Sequence, residues 1–206
     1  MKKKMIKGGT DTCRKKERYE SIIMAAGELF TKKGFHGAKV EEIAERAGVG
    51  KGTVYEYFKS KKELFYEVIK YFTLKFLEDF KSAAKKGKGY RQRLENALGL
   101  LVSYLYESSN FFKLLIKDHW EIDEKLYEWI VNIRKATANI VEDIIKDGIS
   151  SGELKAEKPV IPALILLESC RLVLFRDLFD ENEYSPEGIK SAVIETVLNG
   201  IAVKPE

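Results

Sequence analysis

The sequence predicts an all-α fold of about nine helices: a three-helix head over residues 13–60 and a larger helical domain over residues 61–206. Three observations predict it. Apolar residues recur at i, i+3, i+4 and i+7 in one stretch after another, with Gly, Ser and Pro at the breaks. Strand-type alternation is absent, and so is any internal repeat. The charge is uneven: residues 1–62 hold 16 Lys and Arg against 8 Asp and Glu, and the remainder holds 20 against 24. A basic head on a slightly acidic body suits a polyanionic partner.

Composition sets the outer bounds. With 206 residues, 45% hydrophobic and 33% charged, the chain has enough apolar mass for a core and enough charge for a solvated surface. Apolar runs such as Ala163 to Leu167 reach only five residues, where a membrane span needs about 20. The N-terminus MKKKMIKGGTDTCRKKE is basic but has no apolar segment of a secretory signal. Cys13 and Cys170 make neither a disulfide framework nor a metal-ligand cluster. The expectation is a cytoplasmic protein with no cofactor and no metal.

The first helix is expected from Arg14 to Lys33, with Tyr19, Ile22, Ile23, Ala26, Leu29 and Phe30 as its apolar stripe and Gly34 as its end. Residues 1–12 read as a free basic tail, and His36 as a loop residue packing on the head. Val40, Ile43, Ala44 and Ala47 form one face of a short second helix. Gly48 follows, where a helix C-terminus favours positive φ. Val49 is an apolar plug. Gly50 is an acceptable N-cap, and Lys51 to Phe58 form a third helix with Val54 and Phe58 inward. Two short helices joined by a Gly-containing turn make a helix-turn-helix.

The third helix carries the chemistry. A helix N-terminus offers free N–H groups and a positive dipole end to phosphate. Lys51 adds a cation there, and Gly52 lets backbone approach closely. Thr53 can bond a base edge or touch a thymine methyl. Tyr55 and Tyr57 bring phenolic hydroxyls for phosphate contacts, which set register rather than read sequence.

The pattern IA-x-x-AGV-x-x-GT-x-Y-x-YF-x-x-K-x-x-LF, which is here Ile43, Ala44, Ala47, Gly48, Val49, Gly52, Thr53, Tyr55, Tyr57, Phe58, Lys61, Leu64 and Phe65, resembles the DNA-binding signature of the tetracycline-repressor (TetR) family. The resemblance covers roughly the first third of the chain. It implies double-stranded DNA as partner, with Lys39, Gly50, Lys51, Gly52, Thr53, Tyr55, Tyr57 and Lys61 at the interface. Two positions depart from the family pattern. Lys39 stands where Ser or Thr is common, and Gly50 where Ser is common. Both remove a hydroxyl that would touch phosphate, and Lys39 can substitute a charge.

Past the head, Ser60 and Glu63 have capping-box spacing and open a helix from Lys61 to about Lys85. A Gly/Lys break at 85–89 precedes helices over Tyr90–Glu107, Phe111–His119 and Glu121–Asp147, the last ended by Gly148 and Gly152. Pro159–Phe179 reads as one very apolar helix. Ser185-Pro186-Glu187 starts the final helix as N-cap, N1 proline and first-turn acid. The Pro159–Phe179 helix has apolar residues on more than one face and must be covered on more than one. The resemblance implies that the last two helices pair with their copies in a homodimer, which suits a pseudo-palindromic operator.

Large aromatics crowd the middle helices. For any one of them core is the ordinary reading. The resemblance implies a cavity for a small hydrophobic or amphipathic effector, with Tyr104, Phe111, Phe112, Trp120, Tyr127, Trp129, Arg171 and Phe175 as candidate lining. Acyl-CoA esters and hydrophobic cationic drugs both suit such a cavity. Arg171 could hold an anionic head or simply pair with Glu168. His119 and Asp123 have i, i+4 spacing, but one His beside acids reads better as a helix start than as a metal site. There is no Ser/His/Asp set, Walker loop or GxGxxG, so no enzyme is expected. The function implied is a ligand-responsive repressor. The alternatives are an activator or corepressor-dependent regulator, and, in another class, a sequence-independent DNA-architectural protein.

Overall fold

A computed structural model describes residues 8–107, 123–178 and 185–201. Among these are eight α-helices, one 3-10 helix and no β-strand. The helix expected over Phe111–His119 lies outside the described residues.

Helix α1 spans Gly8–Gly37, starts earlier than expected and is kinked at Gly34. Gly34, at φ 75° and ψ 170°, ends the regular helix where the sequence placed its end, a geometry open to glycine. A final turn then swings Phe35 against Phe30 (6.0 Å) and Phe65 (5.1 Å). Helices α2 (Val40–Arg46) and α3 (Lys51–Tyr57) follow. The turn after α2 is a Schellman motif: Val49 N–H donates to the Ala44 carbonyl at 2.9 Å, and Gly48 N–H to the Glu45 carbonyl at 3.1 Å. Gly48 supplies the positive φ of 69° that this motif needs.

Helix α4 (Lys61–Lys85) starts on a modified capping box. The Ser60 hydroxyl accepts from Glu63 N–H at 3.1 Å, while the Glu63 carboxylate accepts from Lys59 N–H, one residue before the cap, at 2.6 Å. The chain forms two compact units that divide within α4, between Phe72 and Thr73. The first turns of α4 belong with the head because Leu64, Phe65, Val68 and Ile69 are buried there, with Phe65 edge-on to Phe30 at 5.1 Å.

The second unit holds the remaining half of α4, α5 (Gly89–Glu107), α6 (Glu124–Ser150), α7 (Val160–Ser169), the 3-10 helix (Cys170–Leu178) and α8 (Pro186–Ile201). Its core joins Phe80, Leu94, Leu98, Val141, Ile144, Leu166 and Ile194, among others. Each such side chain contributes roughly 1.5–3 kcal/mol by leaving water. Two expectations need correction. Gly148 does not end α6, which runs to Ser150. It is a packing glycine, because a Cβ there would lie 2.7 Å from Leu154 Cδ1 and 2.9 Å from Tyr90 Cγ. The apolar stretch 159–179 is not one α-helix either. After Ser169 it tightens to 3-10 geometry, in which residues i and i+3 align. Cys170 and Val173 then face the core together, while Leu172 and Phe175 face outward together.

Candidate nucleic-acid interface

The head is built so that α3 is held from behind and bare in front. Val54 and Phe58 are buried, at 1% and 2% exposure. Gly50, Lys51, Gly52 and Tyr55 are exposed. Neither α2 nor α3 has a side-chain cap: Lys39 and Gly50 occupy the N-cap positions in extended conformation with no side-chain bond to the helix. At α3 no N-cap side chain competes for the first-turn N–H groups, whereas at α2 the Glu41 and Glu42 carboxylates accept from the Glu41 and Lys39 N–H groups. A Cβ at Gly52 would meet nothing within 4 Å. The fold does not require glycine there, which fits a glycine needed for close approach by a partner.

The predicted residues divide by what they touch. Lys39, Lys51 and Thr53 lie at the first turns of α2 and α3, and Tyr55 one turn further along α3. Lys51 Nζ is 2.6 Å from Glu41 Oε1 and 5.9 Å from the Tyr55 ring centre. Hydrogen bonding to Glu41, with its charge, raises the Lys51 pKa; the same bond lowers that of Glu41. Lys61, at the start of α4, donates to the His36 carbonyl at 3.2 Å and lies over the Phe35 ring at 4.7 Å. Its ammonium therefore sits beside the α1–α2 junction. Tyr57 is turned the other way. Its hydroxyl donates to the Lys15 carbonyl at 3.2 Å and fastens α3 to α1.

Sequence reading missed the groups that brace this face. Tyr19 donates to Glu67 Oε2 at 3.2 Å and packs on Phe58 at 5.5 Å and Tyr57 at 6.4 Å, so one ring touches α3 and α4 together. Burial, then the Glu67 charge, pushes its pKa up to about 12. Lys33 pairs with Glu42 at 2.7 Å. None of these pairs has a short sequence spacing that would mark it in advance.

In the second unit, Tyr104 packs on Phe76 at 4.9 Å, and burial, followed by Asp79, lifts its pKa to about 12. Trp129 donates to Thr73 Oγ1 at 3.0 Å. Both stand where α4 meets α5 and α6. Tyr127 and Phe175 are surface residues, 63% and 49% exposed. Arg171 Nε pairs with Glu168 at 2.9 Å, the ordinary reading of that residue. Phe111, Phe112, Trp120 and His119 lie outside the described residues. Among the described residues no group of three His, Cys, Asp or Glu could hold a metal, and no helix is long and apolar enough to cross a membrane.

An uncapped helix-turn-helix joined by α4 to a separate helical unit defines a DNA-binding transcriptional regulator with a regulatory domain. Comparison with known proteins agrees. Residues 22–68 match the family model of bacterial regulatory proteins, tetR family, and residues 87–201 match the tetracyclin repressor-like C-terminal domain. The chain belongs to the tetracycline-repressor family and is a ligand-responsive, DNA-binding transcriptional regulator. It is 26% identical over 188 residues to the fatty acid metabolism regulator protein of Bacillus subtilis, covering 91% of this chain and 97% of that one. It is 28% identical over 129 residues to the transcriptional activator FasR of Mycolicibacterium smegmatis, covering 63% and 59%. The crystal structure of the B. subtilis regulator FadR in complex with stearoyl-CoA superposes with a TM-score of 0.71 at 27% identity, covering 89% of this chain and 99% of that one.

Proposed function

We propose that the chain is a cytoplasmic homodimeric repressor of a pseudo-palindromic operator and that its effector is a long-chain acyl-CoA thioester. One observation carries the effector class: the likeness to a regulator crystallised with stearoyl-CoA runs through head and C-terminal unit alike, over 89% of this chain. The acyl chain would lie among the apolar side chains between α4, α5 and α6, with Tyr104 and Trp129 at its wall. Five of the exposed large hydrophobics, Ile161, Leu164, Ile165, Leu172 and Phe175, fall within residues 161–175. An exposed apolar stripe of that kind fits a second copy of the chain, and this supports a dimer through α7, the 3-10 helix and α8.

The mechanism is a population shift. Helix α4 contributes to both units, so an effector that prefers one arrangement of its C-terminal half can change how the head meets DNA. The effector weakens operator binding only by its differential affinity for the two states, and operator weakens effector binding by the same factor. The test is a titration of an operator, selected by the protein from random duplexes, with and without stearoyl-CoA. Saturable loss of operator affinity supports the reading. Tightening would make the protein a corepressor-dependent regulator, and no response would remove acyl-CoA as the effector.

A further inference from the structure

The first residue of the recognition helix is not an unoccupied cation. Lys51 Nζ lies 2.6 Å from Glu41 Oε1, in the first turn of α2, and 5.9 Å from the Tyr55 ring centre. Both partners are exposed, at 51% and 60% of their side-chain surface, so the pair stands on the surface at the first turns of α2 and α3 and not in the core. Glu42, beside Glu41, occupies Lys33 of α1 at 2.7 Å in the same way. Lys39 is the other charge acting on Glu41.

We propose that Glu41 is a specificity-determining residue, which reserves Lys51 for a base edge and withholds it from phosphate. An ammonium has three N–H donors and no acceptor. One is used by Glu41, and two remain. Guanine O6 and N7 are neutral acceptors in the major groove, and a carboxylate already paired with the ammonium repels them far less than it repels a phosphate. A phosphate is an anion. To use Lys51 it must either displace Glu41 or settle beside it, and like charges at that range disfavour each other. Non-specific binding comes almost wholly from phosphate neutralisation, so Glu41 taxes it directly. Specific binding keeps the base contact. The pair acts as a repulsive element against wrong duplexes as well as an attractive one for the right site.

The test uses the full-length protein, an operator selected in vitro and a scrambled duplex, each titrated over a range of salt. For Glu41→Gln the scrambled duplex should bind several-fold tighter, with a salt slope steeper by about 0.9, one extra phosphate contact. Operator affinity should change less, so the specificity ratio falls. Lys51→Ala alone should leave the scrambled-duplex slope unchanged while weakening the operator. The double variant, Glu41→Gln with Lys51→Ala, decides the cause. If Glu41 acts through Lys51, the gain on scrambled DNA disappears without the lysine. A gain of equal size in the Lys51→Ala background would show a general charge effect and overturn the proposal. So would an unaltered slope for Glu41→Gln, or equal weakening of both duplexes. Both residues are surface-exposed, and an unchanged Tm for each variant is the control for folding.

Discussion

Thr53 and Lys61 are proposed to meet the duplex in different ways, and single substitutions separate them. Lys61 stands at the start of α4 over the Phe35 ring, where its ammonium is proposed to serve phosphate rather than a base edge. Lys61→Ala should weaken binding to every duplex alike and flatten the salt slope by about 0.9; an unchanged slope would remove Lys61 from the interface. Thr53 is half-buried in the first turn of α3. Thr53→Ala should instead change the ranking among operator variants, by about 1–3 kcal/mol at one base pair. Uniform weakening would limit Thr53 to backbone contact. Tyr19 gives a prediction in pH. Its folded pKa is about 12, above the ordinary value of 10, so the folded state holds the proton more tightly than the unfolded one. That contribution is complete below about pH 10 and is lost as pH rises toward 12. Tyr19→Phe should flatten the alkaline arm of a Tm–pH profile in that window. An identical arm would mean that Tyr19 titrates as an ordinary tyrosine.

At the scale of elements, the legible parts were those written in local rules. The Gly48 turn, the Ser60 cap, the Ser185 start and the face carrying Val40, Ile43 and Ala44 all follow from residues within five positions of one another, and the structure has them. What escaped was decided by distant residues. Gly148 looked like a stop because glycine ends helices, but its reason is the close packing of Leu154 and of Tyr90, 58 positions earlier on α5. The tightening after Ser169 left no mark in hydropathy, since either geometry buries some apolar residues there. The hydrogen bond of the Tyr57 hydroxyl to α1, 42 positions away, likewise left no local mark. These readings predict stability. Gly148→Ala should cost about 1–3 kcal/mol by overpacking against Leu154 and Tyr90. Ser60→Ala should cost about 1 kcal/mol by releasing the Glu63 N–H at the start of α4. Denaturant midpoints would read both. Equal small losses at the two sites would reduce Gly148 to an ordinary helical glycine.

For the whole molecule the open quantity is the second copy, and one side chain in the exposed stripe makes it measurable. Glu168 falls between Ile161, Leu164 and Ile165 on one side and Leu172 on the other, at helical spacing, so it is a carboxylate inside an apolar stripe. Arg134 Nη2 approaches both its oxygens at 3.1 Å, and Arg171 Nε approaches one at 2.9 Å. In a single chain these pairs are half-exposed and contribute little. Covered by a partner, they would leave water. A buried carboxylate stripped of its cations is strongly destabilising, whereas replacing the whole cluster with apolar residues is often neutral. The two variants therefore move in opposite directions only if the stripe is an interface. Arg134→Ala with Arg171→Ala should raise the dimer dissociation constant tenfold or more in sedimentation equilibrium. Adding Glu168→Leu to that pair should return it to near the wild-type value. If both variants dimerise as the wild type does, the cluster lies outside the contact, and the subunits meet through the other apolar positions of α7 and α8. If the wild type itself sediments as a monomer, two half-sites cannot be read by one assembled protein, and operator recognition must be built from chains that meet on the DNA.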